Sequence, residues 1–131
     1  MPRKHIRHII VSMGDHELQI RTKAFALRVI RVVEALPRSR AADAIGGQLL
    51  RCGTSVGANY RAACRAKSPA DVIAKMGIVE EECDESAYWM ELLVEAGVMK
   101  ETRLSSLMSE SSEILAMAVA SIKTTRTRRR N

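Results

Sequence analysis

Aromatic residues are almost missing from this sequence: one Phe, one Trp and two Tyr make up 3% of its 131 residues, although apolar residues reach 47%. A β-sandwich wants aromatic and β-branched alternation, so the shortage argues against one. It favours thin, closely packed helices of Ala, Val, Ile, Leu and Met. Histidine is confined to His5, His8 and His16. With histidine confined to the first sixteen residues, neither a Ser/His/Asp or Cys/His set nor the Glu-x-x-His pairs of a di-metal carboxylate bundle can be assembled. No glycine-rich strand-to-helix phosphate loop is present either. Cys52, Cys64 and Cys83 form no Cys-x-x-Cys and no Cys/His cluster with metal-ligand spacing, so free thiols in a reducing compartment are expected. No apolar run approaches the roughly 18 residues of a membrane span. The basic start, Met1 to Val11, has too short an apolar stretch for a signal peptide and no small-residue cleavage site. The expectation is a cytoplasmic, non-enzymatic protein with no catalytic residues, metal, cofactor, membrane partner or small-molecule substrate.

What is present is charge, unevenly placed. The formal net charge is +6, with 21 basic and 15 acidic residues. Residues 16–75 carry eleven basic and four acidic groups, whereas residues 76–122 carry two and ten. The ends are purely basic: Arg3, Lys4 and Arg7 at one, and Lys123, Arg126, Arg128, Arg129 and Arg130 at the other.

Between those ends, apolar residues recur at +3 and +4 in four stretches, the signature of amphipathic helices. Leu18, Thr22, Phe25, Val29, Val32 and Leu36 line a first helix over 15–36, ended by Pro37. After a polar turn at Arg38-Ser39-Arg40, Ile45, Leu49, Cys52, Val56, Asn59 and Ala63 line a second, running from Ile45 to about Lys67. Ser68-Pro69-Ala70-Asp71 reads as an N-cap, a proline at the first helical position and an acidic first turn. The third helix then buries Met76, Val79, Cys83, Ala87, Met90 and Val94, and stops at Gly97. Leu104, Met108, Ser111, Leu115, Ala118 and Ile122 line a fourth. Long helices with short links predict an all-α, antiparallel up-down-up-down four-helix bundle. The division is a basic arm over 1–14, the bundle over 15–122, and an Arg-rich tail over 123–131. That tail has no apolar residue with which to pack, so no regular structure is expected of it.

Two patterns on the second helix point to function. Gly53-x-x-x-Gly57 permits close backbone approach, either within the bundle or at a contact between copies. At about 100° per residue, Arg51, Arg61 and Arg65 fall within roughly an 80° arc. Their guanidinium groups suit phosphate contact with RNA or DNA, joined by Arg126, Arg128, Arg129 and Arg130 of the tail. The alternative is that these arginines pair with Glu81, Asp84 and Glu85 of the acidic third helix, in a protein–protein module with no nucleic-acid ligand.

The stretch Gln48-Leu49-Leu50-Arg51-Cys52-Gly53-Thr54-Ser55-Val56-Gly57-Ala58-Asn59-Tyr60-Arg61-Ala62-Ala63 resembles the signature of the bacterial four helix bundle protein family, also called the ribosomal RNA intervening-sequence protein family. Glu82-Cys83-Asp84-Glu85-Ser86-Ala87-Tyr88-Trp89-Met90-Glu91-Leu92-Leu93 is a second similar segment. The resemblance implies a cytoplasmic bundle that assembles as a homopentamer and has no known catalytic activity. Gly53 and Gly57, with Asn59 and Trp89 of the similar segments, are the candidate oligomer contacts. Many members carry Asn-Ile-Ala-Glu-Gly where this chain has Asn59-Tyr60-Arg61-Ala62-Ala63, a change that makes the second helix more basic.

Overall fold

The computed structural model describes residues 15–130; the basic arm expected over 1–14 and Asn131 lie outside the described residues. Four helices follow one another: α1 Asp15–Glu34, α2 Arg40–Cys64, α3 Pro69–Glu95 and α4 Glu101–Arg130. Each packs mainly on its neighbours in sequence, and α1 and α4 close the set through a sparser contact. The architecture is the antiparallel four-helix bundle expected. Its one continuous core includes Leu18, Phe25, Val56, Met76, Met90 and Ile114.

The chain's own capping groups set the helix boundaries. Ser39 Oγ accepts the Ala42 N–H at 3.1 Å, so α2 begins at Arg40, well before the expected Ile45. It ends at Cys64, where the Arg65 and Ala66 N–H groups turn back to Ala62 O and Ala63 O. Ser68 Oγ accepts the Asp71 N–H at 3.1 Å, with Pro69 opening α3 as its sequence suggested. At the far end of α3, Gly97 sits at φ +73. Its N–H reaches Val94 O while Val98 N–H reaches Leu93 O, a Schellman cap that only a residue without a Cβ adopts easily.

Several expectations about the core need correction, among them Met108 and Leu115, half-buried where Leu107 and Ile114 take the buried places. Tyr60, 2% exposed, fills the place assigned to Asn59, whose amide instead donates to Ser55 O and Oγ at 2.9 and 2.8 Å. Ser86 is buried where Ala87 was expected, its hydroxyl satisfied by Glu82 O at 2.7 Å. The Arg-rich tail belongs to α4, which continues through Arg130. Its inward stripe runs Leu104, Leu107, Ser111, Ile114, Ala118, Ser121 and Thr125. A threonine extends that stripe into the tail because its methyl packs while its hydroxyl donates to Ser121 O at 2.8 Å.

Gly53 and Gly57 are used inside the chain. A Cβ on Gly53 would lie 2.8 Å from both methyls of Val29, and one on Gly57 would lie 3.4 Å from Thr22 O. Close approach of α1 to α2 is therefore what these glycines provide, the first of the two uses that their spacing allows. Gly53→Ala is expected to lower stability by about 1–2 kcal/mol, although alanine is the better helix former by ~1 kcal/mol. Val29 is fully buried and stiff at χ1, so it has nowhere to retreat. Urea midpoints of the two proteins check this; an unchanged or higher midpoint would show that the seam relaxes freely.

Candidate nucleic-acid interface

Antiparallel packing decides which of the charged residues meet. Gly57 faces Thr22, Gln19 reaches Cys64, Cys52 meets Ser86, and Ser111 donates to Cys83 O at 2.8 Å. Extending these pairings places the start of α1, the end of α2, the start of α3 and the end of α4 at one pole. The last residues of α4 project beyond the start of α3, at 1.5 Å per residue. Arg61, Arg65 and Lys67 therefore share this pole with Lys123, Arg126, Arg128 and Arg129 of the last turns of α4, where the backbone of Arg130 also lies. Arg61, Arg65, Lys67, Lys123, Arg126 and Arg129 are exposed and form no ion pair among the described residues.

Part of this charge has a local explanation. α2 and α4 end at the pole, and cations favour helix C-termini, whose dipole is equivalent to about half a negative charge. The N-termini of α1 and α3 at the same pole carry the opposite partial charge, so the four helix ends nearly cancel and leave the charge of the side chains standing. Guanidinium groups in a cluster of this kind are suited to bidentate phosphate contact. Aromatic stacking is not part of the arrangement: Phe25 and Tyr60 are buried, and Tyr88 packs edge-on against Trp89, ring centroids 5.1 Å apart, on the far half of α3. Contacts of this type position a nucleic-acid backbone without reading its sequence.

Arg51 does not belong to the pole. It lies midway along α2, where its guanidinium contacts Glu82 Oε2 at 3.3 Å and Glu85 Oε2, and its Nε donates to Gln48 Oε1 at 3.4 Å. Glu85 Oε2 also accepts the Trp89 indole N–H at 3.2 Å, which fixes Trp89 within its own chain. The arc that groups Arg51 with Arg61 on a lone helix is broken because the two face different neighbours, α3 for Arg51 and the α1–α2 groove for Arg61. Glu81 and Asp84 are exposed as expected, but the carboxylates that meet Arg51 are Glu82 and Glu85. The sequence reading also missed Lys67 and Lys123. Their signal was the antiparallel order itself, once the α4 stripe is followed through Thr125.

A second ion-pair set, which sequence did not show, joins α1 to α4. Arg21 donates to Glu110 through Nε at 3.0 Å and Nη2 at 2.6 Å, with Glu113 at 3.5 Å. Arg28 reaches Ser106 Oγ at 2.9 Å. The hydrogen bond to Glu110 raises the Arg21 pKa still further and holds the Glu110 carboxyl below its ordinary range. A lowered carboxyl pKa stabilises the fold above the unfolded value, about 4.3, and that contribution is lost as pH falls through the folded value. Glu110→Gln is expected to lower stability by about 1–2 kcal/mol at neutral pH. The deficit should shrink to nothing in acid; a difference that persists at low pH would show that Glu110 acts through packing.

Cys52 and Cys83 do not make a reactive or metal-holding centre. Burial raises Cys52 and pushes Cys83 up to about 12, which disfavours the thiolates that nucleophiles and ligands require. Ligand atoms of Cys52, Glu82 and Glu85 lie within 4.8 Å of one another. The Arg51 guanidinium already occupies both carboxylates, and Cys52 Sγ is buried against Ser86 Oγ at 3.2 Å with its thiol pKa raised, so this donor set does not fit a cation. No helix among the described residues is long and apolar enough to cross a membrane.

Fold and site together define an all-α four-helix bundle whose excess of positive charge lies toward one end. Residues 15–120 match the model of the 23S rRNA-intervening sequence protein family, and the chain belongs to that family. A solved structure with this fold is a protein of unknown function from the S23 ribosomal protein family of Bacteroides thetaiotaomicron VPI-5482. It is 33% identical, with a TM-score of 0.78, over 83% of this chain and 97% of that one. Comparison with curated proteins gives no match.

Proposed function

We propose that this chain is a non-enzymatic, cytoplasmic, homo-oligomeric scaffold that holds RNA or DNA by phosphate contact at its basic pole. The observation that carries the reading is the excess charge there: Arg61, Arg65, Lys67, Lys123, Arg126 and Arg129 form no ion pair among the described residues, Glu80 beside Lys123 and Arg126 being the nearby carboxylate, whereas Arg21 and Arg51 are neutralised within the bundle. Repetition of the pole in an oligomer multiplies its field. The family is named for intervening sequences of 23S rRNA, which makes a structured RNA duplex the first probe. The test is duplex affinity measured against salt. Phosphate contact gives a linear fall of log affinity with log salt, steeper with every phosphate engaged. Absence of binding at low salt would overturn the reading.

The second reading, a protein–protein module without a nucleic-acid ligand, is favoured by apolar side chains that the bundle leaves in solvent, among them Ile20 and Leu27. The same duplex experiment separates the two.

A further inference from the structure

The exposed apolar residues are organised. Ile20, Leu27 and Ile30 form one outward stripe on α1, 67%, 48% and 37% exposed, and Leu50 of α2 stands beside its upper part at 36%. Scattered apolar residues on a surface are ordinary, but a contiguous patch marks an interaction site. This one borders a groove of about 450 Å³ between α1 and α2, lined by Ile20, Lys23, Ala26, Thr54 and Ala58 among others. Lys23 and Arg31 flank the stripe, and neither has an ion pair among the described residues.

The outward stripe of α3 has the opposite character: Ala74, Gly77, Glu81, Asp84, Tyr88 and Glu91 follow at +3 and +4. Glu81 and Asp84 form no ion pair among the described residues, and Tyr88 is 52% exposed. Gly77 lies inside the helix with nothing within 4 Å of where its Cβ would stand, so packing within the chain does not explain it. A glycine there lowers helix stability by about 0.5–1 kcal/mol relative to alanine.

Heights along the bundle match as well as charges. Val29 meets Gly53, and the adjacent Cys52 meets Ser86, so the α1 stripe can be mapped onto α3. Ile20 stands level with Gly77, Lys23 and Leu27 with Glu81, and Arg31 with the stretch from Asp84 to Tyr88. α1 and α3 run parallel at diagonal corners of the bundle, so a contact between their outward faces joins two copies head to tail without axial displacement. Heterologous contacts of that kind close into rings when successive rotations add up.

We infer that the α1–α2 edge of one copy docks on the outward α3 stripe of the next, with Lys23 and Arg31 against Glu81 and Asp84 and Ile20 seated at Gly77. This rests on the homo-oligomer reading above and names the two faces that make the assembly. The test is a charge swap read by light scattering of nuclease-treated, nucleic-acid-free full-length protein. Lys23→Glu with Arg31→Glu places like charges against α3 and is expected to weaken assembly on the order of a hundredfold. Glu81→Lys with Asp84→Lys does the same from the other side. All four substitutions in one chain recreate opposite charges and restore the oligomer, which a misfolded variant would not do. An oligomer indifferent to both pairs, or one that the four-fold variant fails to restore, overturns the assignment of faces and leaves oligomerisation intact. A monomeric wild type overturns both and leaves the patch to a foreign protein.

Discussion

Reversing Arg61, Arg65, Arg126 and Arg129 to glutamate is expected to weaken binding of an RNA duplex on the order of a hundredfold at 0.1 M salt, and to reduce the slope of log affinity against log salt by about 3–4. The slope is the sharper measure. Each lost phosphate contact releases one fewer set of counterions and lowers it by about one, whatever the starting affinity. None of the four side chains is buried or ion-paired among the described residues, so the fold should persist, with a loss limited to the helix-end interaction of about 0.3–1 kcal/mol per residue. Arg51→Met is the internal contrast. It breaks the link to Glu82 and Glu85 between α2 and α3, yet should leave the slope unchanged because Arg51 is not at the pole. A slope indifferent to the four reversals, or one that follows Arg51 instead, would remove the pole from the account.

Phe25→Ala is expected to lower stability by about 3–5 kcal/mol, near the upper end of that range. Phe25 is the largest fully buried side chain of α1, and its exposure is 0%. The loss depends on how far the surroundings collapse into the space left behind. Here α1 has little room to move inward, because it already touches α2 where Gly53 and Gly57 meet Val29 and Thr22. Against a total stability of about 5–15 kcal/mol for a domain of this kind, the substitution removes a large share. Urea unfolding at fixed protein concentration measures it, since any oligomer adds stability by mass action. A loss near 1 kcal/mol would mean that α1 slides along the seam and refills the space.

Much of the bundle is legible in the +3 and +4 recurrence of small and aliphatic residues, because burying one stripe per helix is the dominant favourable contribution to folding and has a period the eye can follow. The α3 start at Ser68-Pro69 and its stop at Gly97 were readable because capping is local chemistry. Some polar residues that behave as core were not readable. Ser86 and Thr125 are buried because their hydroxyls find carbonyls one turn back, at Glu82 and Ser121, partners that exist only once the helices are formed; Ser111, which the spacing did place on the inward stripe, finds Cys83 O across the bundle. That is why the tail, judged from its lack of apolar residues, was expected to have no regular structure and instead continues α4.

Sequence by itself determined the number of helices, their order, the antiparallel arrangement that short links impose and the excess of basic charge. Tertiary structure alone decided which charges act together. Arg51 and Arg61 share one side of an isolated helix, yet Arg51 is drawn to the carboxylates of α3 while Arg61 lines the groove between α1 and α2, beside residues some forty positions earlier in the chain. Electrostatic interaction falls with distance in space and takes no account of separation along the chain. The role of each arginine was therefore settled only when four helices folded against one another.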